Sequence, residues 1–248
     1  MKIIACYSNK GGVGKTASAV NIAHAFATTG SQTLIFDLDP QGASRYYFRV
    51  KASKKLPDES FFTDVQRFTK AIRATDFENL DIVPANMSFR DFDIFLARMK
   101  NSRSRLKKAL KAGGSEYDTI ILDCPPNIST LSENVFRASD VIVVPVIPTT
   151  LSEHTLGQLM TFFREQGLER KKIVAFFSMM QKSKNLHRDT EERLRKEFPK
   201  RFLETVIPFS AKIENMGTHR APVASYAKGH ATAVAYAALQ KEIEKKAR

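Results

Sequence analysis

Hydrophobic residues along this chain gather into short continuous runs. Runs rich in Ile, Val and Leu occupy residues 3–7, 33–37, 80–84, 119–123, 141–145, 173–178 and 205–208, and each has the length of a strand buried on both faces. Between them the apolar spacing changes to three and four. Val65, Phe68 and Ile72 follow it in one segment, and Leu156, Leu159, Met160 and Phe163 in another, which is the stripe of a helix packed on one side. Strand and helix signals alternate, so the pattern predicts right-handed crossovers and a mostly parallel, twisted sheet with helices on both faces. No Pro-, Gly- or Ser-rich stretch long enough to separate domains interrupts the 248 residues, which predicts a single α/β domain over 1–248.

Composition adds two constraints. With 43% hydrophobic and 26% charged residues the chain can bury a sizeable core, and no apolar run approaches the ~20 residues that span a bilayer. A cytoplasmic protein is expected. Cys6 and Cys124, its two cysteines, lie in or at the end of apolar runs and read as reduced core residues, because no CxxC or Cys/His spacing accompanies them. The net charge of +13 points to a polyanionic partner, nucleic acid or an anionic membrane surface.

The most informative segment is Lys10-Gly11-Gly12-Val13-Gly14-Lys15-Thr16, between the first apolar run and a helical pattern. Glycines let a backbone wrap closely around phosphate oxygens, so that successive N–H groups and a helix N-terminus face the anion. In such a loop Lys15 neutralises the β- and γ-phosphates and the Thr16 hydroxyl ligates Mg²⁺. Against the general pattern GxxxxGK[ST], Asn9 replaces the first glycine and Lys10 adds a second cation. Two other runs end in carboxylates: Asp37-Leu38-Asp39-Pro40-Gln41-Gly42, and Ile120-Ile121-Leu122-Asp123-Cys124-Pro125-Pro126. Strand ends are where open α/β sheets bind ligands.

Residues 10–16 match KGGxGK[ST] in full, and at this point the chain resembles the ParA/MinD family of deviant Walker A ATPases. The resemblance implies a P-loop fold binding ATP and Mg²⁺, and an ATP-sandwich homodimer in which Lys10 acts on the partner's nucleotide. It implies nucleotide contacts from Lys10, Gly11, Gly12, Val13, Gly14, Lys15, Thr16 and Ala17, the last standing where a second threonine is common. It further implies that Asp39 orients the attacking water, Asp37 supports the metal shell, and Asp123 holds Mg²⁺ at the end of a Walker B strand. Val206-Ile207-Pro208-Phe209 looks like the base-side segment, with Pro208 and Phe209 against adenine.

Basic residues cluster at 98–111, without an acidic residue, and at 182–201. Lys184 and Lys212 resemble DNA-contact positions of ParA proteins. With no base-reading motif in view, DNA binding is expected to be sequence-independent and salt-dependent. The best fit is a small ParA-type ATPase that partitions or positions plasmid, chromosome or protein cargo at the nucleoid, stimulated by a ParB-like or other adaptor. A MinD-like membrane-cycling ATPase is the alternative, but the terminal segment Ala237-Ala238-Leu239-Gln240-Lys241-Glu242-Ile243-Glu244 offers only two bulky apolar anchors, too few to hold a membrane.

Overall fold

The computed structural model describes residues 1–51, 59–85, 89 and 91–247. In chain order its elements are β1 (Lys2–Cys6), α1 (Lys15–Thr28), β2 (Thr33–Asp37), α2 (Ala43–Tyr47), α3 (Val65–Ala71), β3 (Arg73–Ala74), β4 (Leu80–Val83), α4 (Phe92–Arg98), α5 (Arg105–Gly113) and β5 (Thr119–Asp123). There follow α6 (Thr130–Ala138), β6 (Val141–Val146), α7 (Thr150–Glu165), β7 (Ile173–Phe177), α8 (Asn185–Glu197), α9 (Ala211–Glu214), α10 (Met216–His219), α11 (Val223–Tyr226) and α12 (Ala231–Lys246).

The strands form one sheet in the order β3-β4-β2-β5-β1-β6-β7, parallel except for the short antiparallel edge pair β3–β4. Residues on alternate positions face two separate cores. Ile3, Ala5 and Tyr7 join Leu34, Phe36 and Leu122 beneath α5, α6 and α7, while Ile4 and Cys6 meet Ile35, Ile121 and the apolar sides of α1 and α12. Because both faces are covered, the strands read as unbroken apolar runs rather than alternating ones.

Two expectations change. Residues 205–208 form no ladder strand. Ile207 donates to the Phe177 carbonyl at 2.8 Å, Met180 to the Ile207 carbonyl at 3.0 Å and Phe209 to the Met180 carbonyl at 2.9 Å, which makes one isolated bridge between Met180 and Pro208 rather than a ladder. The missing seventh strand is instead β3, two residues too short and too polar to leave a hydrophobic signal. Of the α3 stripe, Phe68 is buried but Val65 is 45% exposed, since it opens the helix directly after the cap Asp64, outside the packed turn. Among the described residues no helix is long and apolar enough to cross a membrane.

Candidate active site

β1 delivers the chain into residues 8–14 at the C-terminal edge of the sheet, between its neighbours β5 and β6. Gly12 (φ 72°) and Gly14 (φ 88°) take the left-handed conformation that glycine adopts without strain. Space at Gly14 is also tight, since a Cβ there would lie 3.2 Å from Ser178 Oγ. Gly14 caps α1 without a side-chain hydrogen bond and the first turn carries no acidic residue. That helix N-terminus therefore keeps its positive end for an anion. Lys15 is buried, with Nζ donating to the Lys10 carbonyl at 3.3 Å. Burial pulls its pKa down, and Asp123 and then Asp39 oppose the shift.

A pair of carboxylates completes the site. Asp37 and Asp123 end adjacent strands as register partners and both are fully buried. Asp123 accepts from Thr16 Oγ1 at 3.3 Å and from Ser44 Oγ at 2.6 Å. Among the described residues Asp37 accepts only backbone donors, Asp39 N at 3.2 Å and Arg45 N at 3.4 Å. Burial first, and then the Asp123 charge, pushes the Asp37 carboxyl well above the carboxylate range. Burial likewise raises Asp123 to about 6 although the Ser44 and Thr16 hydroxyls hold it down. Asp39 is half-buried and closes a turn by accepting from Gln41 N at 3.0 Å. Such a cluster, a lysine, two hydroxyls and two desolvated acids, calls for a cation. Among the described residues no group of three or more His, Cys, Asp or Glu side chains could hold a metal ion. Any metal here must therefore complete its shell from elsewhere, as Mg²⁺ does with substrate phosphates.

Lys10 stands apart from its own loop. Its Nζ donates to Ser152 Oγ at 3.4 Å, at the start of α7. Past β7, Met179 (φ 53°) turns the chain so that its Cε lies 3.6 Å from a Cβ built on Gly14. Phe209 N donates to the Met180 carbonyl at 2.9 Å, which sets Pro208 opposite Met180, while the Phe209 ring is half exposed. Ala17 packs against the α1-side core. Lys212, on α9, and Lys184, at the start of α8, are both exposed. Cys6 and Cys124 are buried free thiols raised by burial, as expected of core residues.

Sequence reading missed Ser44, Ser152 and the Tyr46–Arg220 contact. Ser44 had a signal, a hydroxyl on the helix that follows an acidic strand end. The other two are long-range partners without a local pattern.

A phosphate-binding loop on the central strand, a hydroxyl beside it and an acid at the neighbouring strand end define a P-loop nucleotide-binding protein. A family model described as AAA domain (AAA_31) matches residues 1–175. The chain is 32% identical over 247 residues, covering 98% of each chain, to sporulation initiation inhibitor protein Soj of Bacillus subtilis, and 29% identical to chromosome partitioning protein ParA of Myxococcus xanthus, covering 98% of this chain and 88% of that one. Its fold superposes with a TM-score of 0.83 on an ATP complex of Cyanothece McdA, at 18% identity and over 99% and 96% of the two chains. The chain belongs to this AAA domain family, as a ParA-type deviant Walker A ATPase.

Proposed function

We propose that this ATPase binds ATP with Mg²⁺, forms an ATP-dependent homodimer, binds DNA without sequence preference and so positions a plasmid, chromosome or protein cargo at the nucleoid. The carrying observation is the buried pair Asp37 and Asp123 beside Lys15 and Thr16. Two desolvated acids at one strand edge are poorly matched to their surroundings without a cation. The loop amides of residues 11–16 and Lys15 would hold the phosphates, Thr16 and Asp123 the metal, Asp37 its outer shell, and Pro208 and Phe209 the base. When bound, Mg²⁺ neutralises charge that develops on the transferred phosphoryl group. Asp39, half-buried at the lip of the strand, orients the attacking water. Lys10, turned toward α7 rather than its own loop, reaches the partner subunit's nucleotide.

The +13 charge supports a nucleic-acid surface that includes Lys184 and Lys212, with a ParB-like or other adaptor as the stimulating partner. A membrane-cycling role finds little support in α12, where Leu239 and Ile243 are buried in the core and Val234 is the helix's one exposed large hydrophobic among the described residues. The test is binding to random-sequence duplex DNA with ATP, with ADP and with Lys10→Ala, over a salt series and beside anionic liposomes. Salt-sensitive, ATP-dependent DNA binding lost in the variant is expected. Liposome binding without DNA binding would overturn the reading.

A further inference from the structure

The N-terminal edge of the sheet, opposite the phosphate loop, holds a cavity of about 630 Å³ between the start of α5, the end of α6 and the loop that enters β7. The placement follows from topology: Arg137 closes α6 just before β6 begins and Lys172 directly precedes β7, whereas the phosphate loop leaves the other end of the parallel strands. Arg103, Lys107, Arg137 and Lys172 line the cavity, with Glu169 as its acid and Phe136 on its floor.

The charges do not cancel. Arg103 lies 3.8 Å from Glu133. Lys172 donates to the Ser139 carbonyl at 2.9 Å and lies 3.9 Å from Glu169, whose closer partner is Lys171 at 2.9 Å. Among the described residues Lys107 and Arg137 have no ion-pair partner, and Lys107 acts on Glu169 only through its longer-range field. Arg137 Nε is shielded from solvent and has no hydrogen-bond acceptor, an unfavourable state for a buried donor. The N-terminus of α5 opens on the same cavity. Its cap, Ser104, donates its hydroxyl to the Asn101 carbonyl at 3.2 Å rather than capping the helix, and the first turn holds no acid, so its dipole adds to the positive field. Two uncompensated cations, one of them a guanidinium fork, beside a helix N-terminus match a single phosphate group.

We propose that this cavity is a second anion site, separate from the nucleotide site, that takes the phosphate of a small phosphorylated molecule. A compact ligand suits it better than a duplex backbone. The surplus charge is confined to two side chains inside a recess of ligand size, and the rim cations Arg103, Lys171 and Lys172 are already engaged by Glu133 and Glu169.

The experiment is a pyrophosphate titration of the full chain followed by amide NMR, with and without saturating ADP. Saturable shifts confined to residues 101–107, 137 and 167–172, unchanged by ADP, are expected. Lys107→Gln with Arg137→Gln should weaken them at least tenfold, and Lys107→Gln alone, which leaves Arg137 in place, by a smaller factor. The proposal is overturned if no shifts occur there, if they persist in the double variant, or if random duplex DNA produces them and pyrophosphate does not.

Discussion

Replacing Ser44 with alanine removes one hydroxyl from a fully buried carboxylate. Ser44 Oγ lies 2.6 Å from Asp123 Oδ2, and neither side chain reaches solvent, so no water takes its place. A hydrogen bond to a charged group contributes about 1.5–3 kcal/mol, and one between neutral groups about 0.5–1.5. Which value applies depends on the protonation of Asp123, whose pKa is raised from 3.8 to about 6, chiefly by burial. The sign follows directly. Between those two values the folded state keeps a proton that the unfolded chain has released, so stability from this group is fully present below pH 3.8 and is lost as pH rises through about 6. Above that window the metal-free protein holds an ionised Asp123 that depends on Ser44. At pH 8 the variant should therefore lose about 1.5–3 kcal/mol, and at pH 5 only about half of that. Urea unfolding of nucleotide-free protein in a chelator, at both pH values, measures the two losses from the shift in midpoint at constant slope. Equal losses at the two pH values would refute the argument, because the Ser44 bond would then not be sensing the charge on Asp123.

Gly14→Ala should destabilise by about 1–2 kcal/mol through its left-handed φ alone and also weaken ATP binding, since the new Cβ presses on Ser178 Oγ; unchanged ATP affinity in calorimetry would count against the loop geometry. Gly113→Ala is the contrasting case. Its Cβ would stand 2.3 Å from Phe68 Cδ1, so about 1–3 kcal/mol of overpacking strain should appear in unfolding while ATP affinity holds. Mg²⁺ without nucleotide should raise the melting temperature far less than Mg²⁺ with ATP, because the described residues offer no three-ligand metal cluster; an equal rise with Mg²⁺ alone would show a site complete in the protein. Tyr46→Ala removes a ring 4.7 Å beneath the Arg220 guanidinium and the Tyr46 hydroxyl's bond to the Gly217 carbonyl at 3.2 Å. Less than about 1 kcal/mol of global stability is at stake in so exposed a contact, but amide exchange over residues 43–47 should accelerate.

What could be read from the sequence, and what could not, divides by the range of the interaction. The phosphate loop is legible because strand, glycines, lysine and helix are consecutive, so local chemistry specifies local geometry. Six of the seven strands are legible because their burial on both faces forces continuous apolar runs. β3 is not, since two residues at a sheet edge bury almost nothing and Arg73 and Ala74 carry no pattern. Residues 205–208 mislead for the opposite reason: they are apolar because Ile207 fills the α1-side core, while their pairing amounts to one isolated bridge, Met180 to Pro208. The Ser44 contact is harder to read, since a hydroxyl after an acidic strand end is only a hint and its partner lies 79 residues away.

The long-range contacts that sequence missed are also those that tie the site to the rest of the molecule. α2 is anchored at its first turn by Ser44 on Asp123 and at its last by Tyr46, whose carbonyl accepts from Arg220 Nε at 3.1 Å. Arg220 takes a left-handed φ of 48° to do so, a conformation that costs a non-glycine residue about 1–2 kcal/mol and is kept only where surrounding contacts fix it. From there His219 stacks on Tyr226 with ring centroids 3.9 Å apart, and the Tyr226 hydroxyl donates to the Lys212 carbonyl. Each link is a specific contact rather than general packing, and together they run from Asp123 through α2 to the carbonyl of Lys212. Tyr46→Ala keeps the carbonyl that Arg220 bonds and removes only the ring and hydroxyl contacts, so it loosens this series of contacts at its middle while the Ser44–Asp123 and Tyr226–Lys212 ends stay in place.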